Sequence, residues 1–177
     1  MTGSHVPVWC VRQYSEFEYA RVMRLVALAM ATSLGVGYVP VAPGTFGSLV
    51  GLVLWALLPT APVPQLVAIA VLCVGGAWSA GECERHFGGT DPSQVVIDEV
   101  MGMLITLWMN PVGWVGAGIG FLCFRLFDVI KPYPANRLED LHGGVGVMAD
   151  DAMAAVYANL ALRALLAIAA WIGWRAL

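Results

Sequence analysis

Five carboxylates stand where carboxylates are costly. Asp98, Glu99, Asp128, Asp150 and Asp151 each lie inside or beside a strongly apolar run. An ionised group in a protein core or against hydrocarbon is unfavourable unless it is paired or bound to a cation. Eight of the chain's twelve acidic residues fall between Asp91 and Asp151, so the chemistry is expected there. Two cations accompany them: Arg125 three residues before Asp128, and Lys131 three residues after it. Positions three apart share a helix face. Carboxylates with so few cationic neighbours suit Mg²⁺, a hard ion that takes oxygen ligands, keeps waters and bridges to phosphate oxygens. The expected metal ligands are drawn from Asp98, Glu99, Asp128, Asp150 and Asp151. Arg125 and Lys131 suit phosphate oxygens, Arg125 through its bidentate fork. A third element is PGTFGS (Pro43 to Ser48), which opens a helix. Backbone N–H groups and the helix dipole there favour an anion, with Gly44, Thr45 and Ser48 as the candidate phosphate-binding positions.

The elements that must hold these groups are all helical. An irregular or amphipathic polar arm is expected over residues 1–24, ahead of one helical domain over 25–177. Leu25 to Leu34 is apolar but too short to cross a bilayer, which takes about 20 residues. Helices are expected from Phe46 to Leu58, with Thr45 or Ser48 as cap, and from Leu66 to Ala80. Asp91-Pro92-Ser93-Gln94 reads as a helix start, with Asp91 as N-cap and Pro92 at the first helical position. That helix should reach Met109 and turn at Asn110-Pro111. Another runs from Val112 to Ile130, stopped by Pro132 and Pro134. The glycines at 143, 144 and 146 read as a loop, and the last helix should run from Asp151 to Trp174, where Trp171 and Trp174 suit a membrane interface. In the hairpin turning between Pro111 and Val112, residues equidistant from the turn lie level, so Asp98 should face Arg125. Asp150 and Asp151 return to the same end.

Composition sets the class. Of the 177 residues 59% are hydrophobic and 12% charged, with mean hydropathy +0.76. A soluble domain averages about 25% charged, so an all-α, membrane-embedded bundle is expected. The net charge of -3 leaves no basic face for nucleic acid. The four cysteines lack metal-type spacing. Cys73 and Cys123, in apolar runs, are expected to be buried thiols. The first twenty residues carry Glu16 and Glu18 and no continuous apolar core, so no cleavable signal peptide is expected. No feature sets an oligomeric state.

Charge placement gives an orientation. Segments 12–24, 82–99 and 125–151 hold nearly all charges, and the turns at 60–64 and 110–114 hold none. The helices should therefore go out and back, with the charged ends, including Arg12, Arg21, Arg24, Arg85, Lys131 and Arg137, on the cytoplasmic side. Arg163, midway along the last helix, and Arg175 are exceptions; Arg163 has no partner that the sequence identifies.

Each feature alone has a plainer reading. Arg125 and Asp128 fit an intrahelical salt bridge, Asp150 or Asp151 fits a helix cap, and Asp98-Glu99 fits a solvated face. Glu139 and Asp140 fit solvated positions, and His142 a loop hydrogen-bonding group. The joint occurrence favours a site. The rival from another class is a small membrane transporter or cation-binding membrane protein, but that would more typically show repeated halves and charges at the bilayer midplane. A soluble all-α phosphatase with the same site is a further alternative, consistent with the short runs Phe46–Leu58 and Met101–Met109.

Four stretches, in order, resemble the motifs of the phosphatidylglycerophosphatase A family: PGTFGS, VIDE (Val96 to Glu99), FRLFDVIKPYP (Phe124 to Pro134) and GGVGVMADD (Gly143 to Asp151). The resemblance covers about residues 35–160 and has no departure at the acidic positions. It implies a Mg²⁺-dependent phosphatase of the bacterial inner membrane that converts phosphatidylglycerophosphate to phosphatidylglycerol. Asp98, Glu99, Arg125, Asp128, Lys131 and Asp151 would then be the catalytic set. Water attack and an aspartyl-phosphate route both remain open at this point.

Overall fold

A computed structural model describes residues 8–89, 92–138, 141 and 143–173, with side chains from Glu18 onward. The expected Asp91 cap, Glu139, Asp140, His142, Trp174 and Arg175 lie outside the described residues.

The described residues form helices and no strands: α1 (Val8–Ala31), a 3₁₀ turn (Val36–Tyr38), α2 (Pro43–Leu57), α3 (Pro62–Phe87), α4 (Ile97–Leu107), α5 (Trp114–Ile130), a single turn α6 (Ala135–Leu138) and α7 (Gly144–Trp171). The architecture is organised around α4. Nine of its eleven residues are buried. A helix apolar on every side belongs inside other helices, and α2, α3, α5 and α7 surround it, with α1 packed on α3. At 1.5 Å per residue α4 is about 16 Å long, too short to cross a bilayer. Two core clusters follow its length. Met101 packs with Ala80, Cys83 and Met148 near its start, and Met103 and Leu107 pack with Phe124, Ala158 and Leu162 further along.

Several boundaries differ from the sequence expectation, each for a physical reason. Residues 8–24 of the expected arm and most of the apolar run from Leu25 are one element, α1, because no Gly or Pro interrupts Val8–Ala31. α3 is longer at both ends than Leu66–Ala80. Pro62 sits in its first turn, where a missing N–H is harmless. Gly81 continues the helix, and Gly88, at φ +78°, closes it. α4 starts at Ile97, well after Asp91, because the preceding backbone is spent on another contact: Val96 N–H donates to Ala31 O at 2.8 Å. α7 starts at Gly144 instead of Asp151. The glycines read as a loop are packing positions. A Cβ at Gly144 would lie 1.9 Å from Ala77 O, and one at Gly146 would lie 1.8 Å from Leu141 O.

The uncharged end is closed by side chains. Trp108 Nε1 donates to Pro62 O at 3.2 Å, and Trp55 meets Trp114 edge-to-face at 6.0 Å. Arg163 has a partner after all: Nε donates to Asn159 Oδ1 at 2.8 Å and Nη2 to Trp108 O at 3.4 Å. Outward faces are strongly apolar, with Val63, Val67, Val71 and Val74 exposed along α3. Cys73 is also exposed, correcting its expected burial, while Cys83 is buried and Cys123 half-buried. Both α3 and α7 are long and apolar enough to cross a membrane.

Candidate active site

All five carboxylates and both cations line one cleft of about 220 Å³ at the charged end, with Ala42, Pro43, Gly44, Ser93 and Val95 completing its wall. Three helices position them. α4 brings Asp98 and Glu99 in its first turn, α5 brings Arg125 and Asp128, and Lys131 caps α5 in the left-handed region at φ 42°. α7 brings Asp150 and Asp151. With α7 beginning at Gly144, those two lie within the helix and do not cap it.

The carboxylates divide into two groups. Asp98, Glu99 and Asp151 each present an oxygen within 4.8 Å of the other two. Asp128 and Asp150 are held by the cations: Arg125 Nη1 lies 2.7 Å from Asp128 Oδ2, and Lys131 Nζ donates to Asp150 Oδ2 at 2.5 Å. The intrahelical Arg125–Asp128 pair therefore forms, and it forms as part of the cleft. Arg125, expected level with Asp98, lines the same cleft and brings Nη1 to 3.9 Å from Oε1 of the next residue, Glu99.

The donor set fits a hard divalent cation. Ligand oxygens at 2.0–2.1 Å from Mg²⁺ stand about 3 Å apart when adjacent and about 4 Å when opposite, close to the observed spread. Glu99 Oε2 and Asp151 Oδ2 are buried and accept no hydrogen bond. Ionised together, three buried carboxylates repel one another and favour a cation between them. Burial pushes the Glu99 carboxyl up; a hydrogen bond with Asp98 opposes this, Asp128 adds to it, and Arg125 opposes it. A bound cation would hold Glu99 ionised.

PGTFGS forms the first turns of α2. Pro43 and Gly44 are already helical, and Ala42 precedes them at φ 50°. Ser48 is fully buried and donates back to Gly44 O at 2.9 Å. Neither Ser48 nor Thr45 lines the cleft; Gly44 does. The glycines let α2 lie against α4. A Cβ at Gly47 would stand 2.8 Å from Val96 Cβ, and one at Gly51 would stand 2.7 Å from Val100 O. At Gly44 it would stand 2.1 Å from Glu99 Oε1. Ala42, Ser93 and Val95 were not singled out from sequence, because they are uncharged and approach the site only through tertiary packing.

The sequence profile of one family, described as Phosphatidylglycerophosphatase A, matches residues 29–166. A candidate phosphatidylinositol-3-phosphatase of Bacteroides thetaiotaomicron is 40% identical over 152 residues, covering 81% of this chain and 92% of that protein. Phosphatidylglycerophosphatase A of Escherichia coli is 35% identical over 131 residues, covering 72% of this chain and 76% of its own. The Haemophilus influenzae protein of the same description is 34% identical over 140 residues, covering 77% and 86%. No solved structure matches.

Proposed function

The chain belongs to the phosphatidylglycerophosphatase A family, and from that premise we propose that it hydrolyses the terminal phosphate of phosphatidylglycerophosphate, with Mg²⁺ as its cofactor. The observation that carries the reading is the pairing within one cleft of a three-carboxylate cradle with Arg125 and Lys131. When bound, Mg²⁺ supplies Lewis-acid polarisation of the phosphoryl group. Asp98, Glu99 and Asp151 would hold it. Arg125 and Lys131 would neutralise charge gathering on the phosphoryl oxygens. Asp128 and Asp150 would fix the directions of those two cations, which keeps the cleft ordered before substrate arrives.

The membrane placement belongs to the same proposal. α3 and α7 would cross the inner membrane and present the cleft to the cytoplasm, where the phosphorylated headgroup of a lipid would meet it. The apolar outward face of α3 and the uncharged far turns support this orientation. A phosphoinositide monoester is the second reading, favoured by the 40% identical relative and its description.

The test is phosphate release by purified protein in mixed micelles, on phosphatidylglycerophosphate and on phosphatidylinositol 3-phosphate, with EDTA and after Mg²⁺ is restored. Release from phosphatidylglycerophosphate, abolished by EDTA and recovered with Mg²⁺, is expected. Turnover of only the inositol lipid would replace the substrate, and full turnover in EDTA would remove the metal.

A further inference from the structure

Asn159 lies on α7 outside the cleft, and its side chain is half-buried. Its Nδ2 stands 3.0 Å from each of three carbonyls at the end of α4: Ile105 O, Thr106 O and Trp108 O. Ile105 O also accepts from Trp108 N–H and Thr106 O from Asn110 Nδ2, so Asn159 adds a donor from another helix to the carbonyl end of α4. Carbonyls at a helix C-terminus lack intrahelical partners and carry the negative end of the dipole. Arg163, one turn on, donates to Asn159 Oδ1 and so fixes which end of the amide faces α4; its guanidinium also meets Trp108 O.

The spacing is informative. Asp151 and Asn159 are eight residues apart on α7, and Asp98 and Thr106 are eight apart on α4. Both pairs run away from the cleft, so α4 and α7 lie parallel and meet at two levels about 12 Å apart. One level is the carboxylate cradle and the other is the Asn159 clamp. When ionised, Asp151 on α7 and Asp98 and Glu99 on α4 are like charges that do not draw the two helices into register. Between the two levels α7 presents small side chains: Ala154, Ala155 and Ala158 are buried in the cluster that also holds Met103 and Leu107 of α4 and Phe124 of α5. Small side chains permit close approach and offer little resistance to sliding. A slide of one residue is about 1.5 Å, enough to take an oxygen out of a site that demands 2.0–2.1 Å.

We infer that Asn159 is a positioning residue that sets the axial register of α4 against α7, and through it the spacing of Asp98, Glu99 and Asp151. This rests on the metal reading of the cradle. The experiment uses Mn²⁺, an ion with similar ligand preferences to Mg²⁺, titrated into purified full-length protein without substrate and followed by its EPR signal. Wild type is compared with Asn159→Leu and with Leu162→Ala, which opens a cavity in the same helix without touching the clamp, and melting temperature is read in parallel. Asn159→Leu should weaken Mn²⁺ binding at least tenfold, while Leu162→Ala, with an equal or larger loss of melting temperature, should bind within twofold of wild type. If Asn159→Leu does not fold, Asn159→Ser, which keeps one short donor, replaces it with the same expectation. Wild-type affinity in the clamp variant, or equal weakening in both variants, overturns the inference. Absence of Mn²⁺ binding by wild type would instead overturn the metal reading.

Discussion

Gly44→Ala adds one methyl group at the point where α2 touches the cleft. Its Cβ would lie 2.1 Å from Glu99 Oε1 and 3.1 Å from Arg125 Nη1, where ordinary contact begins near 3.4 Å. The Glu99 carboxylate must therefore retreat by about 1.3 Å. It is the far end of a flexible side chain, so it can move without unpacking the helices. A displacement of about 1 Å in a reacting geometry can cost 10²-fold in rate. Stability should move the other way, since replacing Gly by Ala in a helix contributes up to about 1 kcal/mol, and less near its first turn. At about 2–4 °C per kcal/mol for a chain of this size, the melting temperature should hold or rise slightly. The assay is phosphate release per folded molecule, beside a melting curve. Gly47→Ala is the contrast: its Cβ meets Val96 Cβ at 2.8 Å and Val96 O at 3.0 Å, so the helices must separate and the melting temperature should fall. A double variant of Gly44→Ala with Glu99→Asp should be little worse than Glu99→Asp alone, because both act on the same carboxylate. Wild-type turnover by Gly44→Ala, or additive losses in the double variant, would refute the reasoning.

Asp151→Asn keeps shape and removes one charge from the cradle. Turnover should fall by about 10²–10³, while the metal-free protein melts no lower than wild type because a like-charge repulsion is relieved; a lower melting point would mean the three carboxylates are not opposed. Lys131→Met removes the cation 2.5 Å from Asp150 and should lower stability by about 3 kcal/mol; Lys131→Met with Asp150→Leu should recover stability but not phosphate release, and recovery of both would exclude Lys131 from phosphate binding. In a variant lacking native cysteines, a cysteine at Ala61 or Gly113 should label from outside the cell and one at Gly89 should not. The reverse pattern would invert the orientation.

The helical class and the gathering of the charged groups were legible in the sequence, because both rest on local signals: continuous apolar runs, and ionisable residues placed within them. The helix starts were less legible. Asp91-Pro92-Ser93-Gln94 has the chemistry of an N-terminus, yet Val96 N–H is drawn to Ala31 O, and α4 starts at Ile97. Gly143 to Gly146 has the chemistry of a loop, yet only Gly143 needs a positive φ. Gly144 and Gly146 are required by the backbones that press on them, so their reason lies in residues 77 and 141. A glycine needed for conformation and a glycine needed for space look alike in sequence and differ only in tertiary contact.

The same distinction governs the site. The charged members announced themselves, since a carboxylate in an apolar run demands a partner wherever the chain folds. Their division of labour did not, because it depends on which cation stands within about 3 Å: Arg125 beside Asp128 and Lys131 beside Asp150. Register along smooth helices is set by the few polar side chains that reach across. Here they come from Asn159 and Arg163, about 12 Å from the carboxylates they would align. Nothing in the local sequence marks an asparagine in the middle of a long apolar helix as part of an active site. Its role becomes visible only when the carbonyls at the end of α4 are found in front of it.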